Sequence, residues 1–319
     1  MTTSSVPSLP RTLGIFIFFA FASLVGGAVL GTMLVRWGLS SGEGLLFSLI
    51  ENHGGPTLVR RIQTLTAIAL APWLLKQIGW KGFSDLGWNT SKPEAFRSAL
   101  EGYAAGLLCM GVLCAIAFAF DARVYQVDDV ANPWLKVASG FIITGIGVGI
   151  LEEIMARGVL FRSLARSTTP WLACLLTSIL FSYAHFAEIE YPVVFEQGIL
   201  ASVKASLIGE FILENNSPIL LEFLNLAMLG IVFCRMVTLK GHIWLAVGFH
   251  ASAVGMIKTI SILTNINYDV PRSPWIGHNS GFLDGILCLI FLGLLLGIVE
   301  FRIFRKGQNQ QEQKTSAEL

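Results

Sequence analysis

Residues 134–162 read WLKVASGFIITGIGVGILEEIMARGVLFR. The run is long and apolar enough to cross about 30 Å of hydrocarbon as a helix, yet its second half holds Glu152, Glu153 and Arg157. Charges in such a run are expensive unless a fold gathers them around a purpose. The rest of the chain has the same character. Of its 319 residues 54% are apolar and only 13% charged, against about 25% charged in a soluble domain. The fold class is therefore all-α, a polytopic integral membrane helical bundle.

Apolar runs bounded by Trp, Pro, Gly and charge predict about eight transmembrane helices, near 12–35, 59–76, 97–120, 134–162, 169–187, 217–238, 242–264 and 281–303. Trp37, Trp80, Trp88, Trp134, Trp171 and Trp275 fall at or near their ends, where an amphipathic indole is favoured. The first run is longer than a signal-peptide core and is expected to be a retained span. Stretch 188–216 is too charged to cross, but Ile199, Leu200, Val203, Leu207 and Ile208 recur at roughly helical spacing, as in an interfacial helix. Residues 307–319 are polar and without periodicity, which predicts a disordered cytoplasmic tail. The organisation expected is N-terminal helices over 1–133, a core over 134–265, a loop and helix over 266–306, and that tail.

Charge sets the orientation. With the N-terminus inside, Lys and Arg outside the spans divide thirteen to eight in favour of the inner side, although Arg60 and Arg61 fall on the other. The outer side also collects Asp121, Asp128, Asp129, Glu188, Glu190 and Glu196. Both termini are thus expected in the cytoplasm. A formal charge of +1 excludes a nucleic-acid surface. The five cysteines lie in apolar runs without CxxC spacing and read as packing residues, not as a disulfide framework or zinc ribbon.

Four segments carry polar groups at membrane depth. Glu153 and Arg157 are four apart and share a helix face, as a charge-assisted pair would. Glu152 is turned about 100° away and stacks over the small Ala156, so it is the free carboxylate, suited to take a proton from water. The following run ends Phe181-Ser182-Tyr183-Ala184-His185, the next carries Glu222 and Asn225, and the seventh contains His250. Helix lengths allow Glu152, His185 and His250 to converge. Each taken singly also fits a packing group or an inter-helix salt bridge.

Together these residues resemble the CPBP family, the CAAX-processing and bacteriocin-processing intramembrane proteases once grouped as Abi. Glu152, Glu153 and Arg157 match its Glu-Glu-x-x-x-Arg motif, Phe181 and His185 its Phe-x-x-x-His, and His250 the first position of its third motif. The resemblance covers about 134–255. It implies a membrane-bound endopeptidase, in the bacterial cytoplasmic membrane, acting on a peptide or protein substrate that is itself membrane-anchored. By the same resemblance Glu152 and His185 activate water, His250 stabilises the oxyanion, and Glu153, Arg157, Phe181 and Asn225 support them.

No cofactor is required by this reading. Members are often described as metalloproteases, so a divalent ion such as zinc on Glu152, His185 and His250 is the other mechanism implied. The sequence departs from the family at Val254, where Asn or Asp is usual, and at Ala156, where an aromatic is common. Asn225 is the nearest candidate for the missing amide, with an ordinary inter-helix hydrogen bond as its other role. The departure at Val254 also keeps open a non-catalytic immunity or scaffold protein that uses the motif as a structural polar network. His-Glu-x-x-His, Gly-x-Ser-Gly and Gly-x-Gly-Asp are all missing, so a zincin is not indicated and serine and aspartyl membrane proteases lose most support.

Overall fold

A computed structural model describes residues 8–126, 132–186, 198–208, 217–271, 273–277, 279 and 281–318. The acidic residues at 128–129 and 188–196, and His278, lie outside them. In hydrocarbon a backbone satisfies its own hydrogen bonds most simply as helix, and helix dominates here. The helices are α1 (Leu9–Ser41), α2 (Leu45–His53), α3 (Gly55–Gln77), α4 (Lys92–Ala119), α5 (Pro133–Ser167), α6 (Pro170–Phe186), α7 (Ile199–Ile208), α8 (Ser217–Lys240), α9 (Trp244–Leu263) and α10 (Ile286–Glu318). Two short strands, β1 (Arg123–Tyr125) and β2 (Thr264–Ile266), pair antiparallel with Val124 opposite Asn265.

Among the described residues six helices are long and apolar enough to cross a membrane: α1, α4, α5, α8 from Leu220, α9, and α10 as far as Gln313. The remaining two expected spans fall on α3 and on α6, an apolar helix of 17 residues. Helix α10 continues through Glu318, where the polar composition predicts a tail without regular structure.

The chain forms two compact units. One contains residues 1–80, 166–168 and 183–216, the other 81–165, 169–182 and 217–319. In the first, α1 lies against α3, and a Cβ on Gly27 would stand 2.4 Å from the Gln63 Cα. Gln63 then donates to the Leu24 carbonyl (3.2 Å) and to Ser206 on α7 (3.0 Å). Helix α7 turns its small polar residues inward, with Ser202 and Ser206 buried and Leu200 82% exposed. The periodicity of 199–208 is therefore helical, but its buried side chains are the serines, with Ala205 packed beside Val35, Ile50 and Val59.

The second unit is built around α9, of whose central window 61% is buried, the largest share among the six. Helix α4 starts where Ser91 accepts from the Glu94 amide and Pro93 sits in the first turn. It meets α9 backbone to backbone. A Cβ on Gly248 would lie 1.9 Å from the Ala99 carbonyl oxygen, and one on Gly102 2.0 Å from that of Leu245. Small residues at such a seam let two membrane helices gain packing energy where hydrophobic driving force is missing. Asn225 of α8 donates to the Leu283 (2.5 Å) and Gly285 (3.0 Å) carbonyls before α10, and Arg235 pairs with Glu300 of α10.

Gly248→Leu is expected to destabilise the protein by about 1–3 kcal/mol or more through overpacking, whereas Gly111→Leu, which meets only open space, should leave it unchanged. Size-exclusion profiles and thermal melts in detergent compare the two, and equal behaviour would refute the seam.

Candidate active site

Helix α5 is not α-helical throughout. Gly140–Ile146 and Ile154–Phe161 are π-helical turns that flank the α-helical Gly147–Glu153. Such widened turns recur at functional sites because they redirect the side chains that follow. The two glutamates close the α-helical stretch, and Arg157 lies inside the second π turn.

Glu153 and Arg157 are both fully buried. Glu153 Oε1 accepts from Arg157 (3.0 Å) and also meets Nδ1 of His250 on α9 (2.9 Å). Arg157 donates a second hydrogen bond to the Gly230 carbonyl on α8 (3.3 Å). Its guanidinium lies over Phe181 of α6 at 4.4 Å and over Phe233 of α8 at 4.9 Å. Desolvated contacts of this kind are worth up to about 2 kcal/mol each. Phe233 also stacks on the His250 ring at 5.3 Å, and Phe181 meets that ring edge-on at 6.3 Å. Four helices thus converge on one guanidinium and one imidazole.

Because Nδ1 faces the Glu153 carboxylate, it carries the proton, and Nε2 is turned to Glu152, whose Oε2 is 3.7 Å away. That gap exceeds direct hydrogen-bond length. Glu152 is 35% exposed at its side chain while Glu153 is closed off. The two adjacent carboxylates therefore divide into an accessible group and a bracing one.

The structure brings Glu152, Glu153, Arg157, Phe181 and His250 together. His185 stands one turn beyond Phe181 on α6, with an exposed side chain, and belongs to the first unit. Asn225 commits both amide hydrogens to the carbonyls before α10, so neither is available as the donor that Val254 lacks. Among the described residues no three His, Cys, Asp or Glu side chains group as metal ligands. Glu152 and His250 supply two, and the nearby Glu153 Oε1 is engaged with Arg157 and His250.

Phe233 is the residue that motif reading passes over. A phenylalanine in an apolar span carries no local signal, and its role comes only from contact with both Arg157 and His250.

The start of α9 fixes how His250 is presented. Ile243 donates its amide to the Gly87 carbonyl (3.3 Å), and Arg162 donates to that of Gly241 (2.6 Å). Lys240 pairs with Glu101 (2.8 Å), and His242, buried between α8 and α9, has Nε2 3.9 Å from Glu94. Burial pushes the His242 imidazole below its ordinary range, against the opposing pull of Glu94.

The folded state therefore favours neutral His242. Stability should be full above the ordinary imidazole value of about 6.5 and fall as acid protonates the unfolded chain more readily than the folded one. Thermal melts from pH 7.5 to 5 should show this loss in the wild type and less of it in His242→Gln; identical pH profiles would contradict it.

Residues 134–256 match the family model described as Rce1-like, type II CAAX prenyl endopeptidase Rce1-like. No curated protein and no solved structure matches the chain.

Proposed function

We propose that this chain is an intramembrane endopeptidase of the Rce1-like type that residues 134–256 match, and that Glu152 and His250 carry out its hydrolysis. The observation that supports this is the facing of Glu152 Oε2 and His250 Nε2 at 3.7 Å above a buried Glu153–Arg157 pair. Glu152 takes a proton from water, whose oxygen attacks the scissile carbonyl. His250 holds a proton on Nε2 as well as on Nδ1 before the water attacks and keeps both through the cycle, donating through Nδ1 to Glu153 and through Nε2 to the oxyanion. Glu152 then returns its proton to the leaving amine, so that the water is consumed and both groups recover their starting states. The family motif that His185 shares with Phe181 assigns it a part in the same hydrolysis.

The substrate is a membrane-anchored peptide or protein, and the site lies nearer the cytoplasmic face of a bacterial inner membrane. Positive charges on the side of both termini support that orientation.

Glu152→Gln and His185→Ala should each abolish processing of a reconstituted membrane-anchored substrate while insertion and melting stay as in the wild type. Wild-type turnover in both would overturn the reading. If the motif instead serves a scaffold, as Val254 allows, Glu152→Gln changes nothing measurable and only loss of Glu153 or Arg157 matters, through folding.

Val254 follows His250 by one turn and is half-buried. An amide there would add a second oxyanion donor, and removing one such donor typically costs about 10²–10³ in kcat. Val254→Asn is accordingly expected to raise kcat by tenfold or more with little change in KM, measured on the same substrate. An unchanged or lower kcat in a folded variant would show that His250 does not face the oxyanion.

A further inference from the structure

Two cysteines outside the proposed chemistry are placed together. Along α6 and α8, Ser182 donates to the Phe223 carbonyl (2.8 Å), and Cys174 donates through sulfur to that of Ile231 (3.7 Å). Between them, a Cβ on Gly230 would stand 3.0 Å from the Ser178 Cα. Partners on α8 rise in number as those on α6 fall, so the helices run antiparallel. Ser178 and Gly230 let the two backbones approach closely, as small residues do between membrane helices.

One turn from that contact, Cys174 faces the stretch of α8 that holds Ile231 and Cys234. Both thiols are fully buried, and the register that sets Ser178 against Gly230 sets Cys174 against Cys234 one turn away. A disulfide needs Cα atoms about 4.4–6.8 Å apart with Cβ atoms turned toward each other, which this close antiparallel seam favours. Of the other cysteines, Cys109 and Cys114 are half-buried on α4 and Cys288 is buried on α10.

We propose that Cys174 and Cys234 form an oxidisable dithiol, a disulfide site that staples α6 to α8. A peroxide is the oxidant. It takes two electrons from one thiol, leaving a sulfenic acid and one water. The second sulfur attacks that sulfenic sulfur, the S–S bond forms, and hydroxide leaves with the remaining thiol proton as a second water. The net change is two thiols and one peroxide to one disulfide and two waters. Phe181 on α6 and Gly230 and Phe233 on α8 all touch Arg157, so the staple fixes the spacing of the elements that hold the guanidinium. This inference stands whether or not Glu152 is catalytic.

The test is on purified full-length protein in detergent, treated with hydrogen peroxide, denatured, alkylated and mapped by mass spectrometry without reductant. A peptide pair linked through Cys174 and Cys234 is expected, with free thiols falling from five to three and returning with dithiothreitol. The melting temperature should rise on oxidation and fall back on reduction. Cys174→Ser and Cys234→Ser should each prevent the loss of two thiols, and if either variant misfolds the wild-type map decides alone. Five surviving thiols, a link through any other cysteine, or irreversible oxidation at Cys174 or Cys234 without a link would overturn the proposal.

Discussion

One carboxylate oxygen holds the second unit together: Glu153 Oε1 meets both Arg157 and His250 with no access to solvent. Removing a guanidinium and a carboxylate from water costs several kcal/mol per ion, and their attraction compensates only where further partners are in place. Here the partners come from different helices. Helix α8 supplies the Gly230 carbonyl and the face of Phe233, α6 supplies Phe181, and α9 supplies the imidazole. Loss of any one leaves a buried charge short of company, so the helices are bound to one another through this cluster. Even so, Glu153 Oε2 and Arg157 Nε are buried without a partner among the described residues. Buried polar atoms left unmatched are uncommon in native folds, and their presence here agrees with a cluster shaped by function.

The same cluster explains what could be read in advance. Spacing by four is a local property of a helix, so the Glu153–Arg157 pair and the separate direction of Glu152 were legible in the sequence. Helix lengths allowed His250 to reach the depth of Glu152, but its contact with Glu153 was not legible. The π turns were not legible: nothing in Gly-Phe-Ile-Ile-Thr-Gly-Ile distinguishes a five-residue hydrogen-bond step from a four-residue one, since the choice depends on how neighbouring helices pack. Phe233 was invisible for a related reason, as its meaning lies in two contacts that are distant in sequence. Asn225 offered two readings, and the carbonyls at 283 and 285 decide for tethering. Those carbonyls become partners only once the turn before α10 has folded back.

Cysteine placement makes a similar point. Read along the chain, Cys174 and Cys234 are small apolar fillers without motif spacing. Their adjacency follows from the antiparallel pairing of α6 and α8, which in turn follows from Ser178 opposite Gly230. The periodicity of a single helix says which face is occupied, but the neighbour on that face is set by where small residues permit close approach. The serine face of α7 obeys the same rule, with Ser206 meeting Gln63 while Leu200 points away.

Helix α9 is at once the most enclosed and the least apolar of the six candidate spans. Enclosure is what lets it carry His250 and Ser252 at such depth, since neighbours rather than lipid face them. During biogenesis that protection does not yet exist. A segment of this composition partitions into lipid less readily than α1 or α10 would, and its polar side chains lack partners until α4, α5 and α8 are beside it. The order of synthesis supplies them, because all three precede α9 in the chain. Membrane entry of α9 is therefore coupled to helices already delivered to the bilayer, and the residues that serve chemistry in the finished protein set the timing of its assembly.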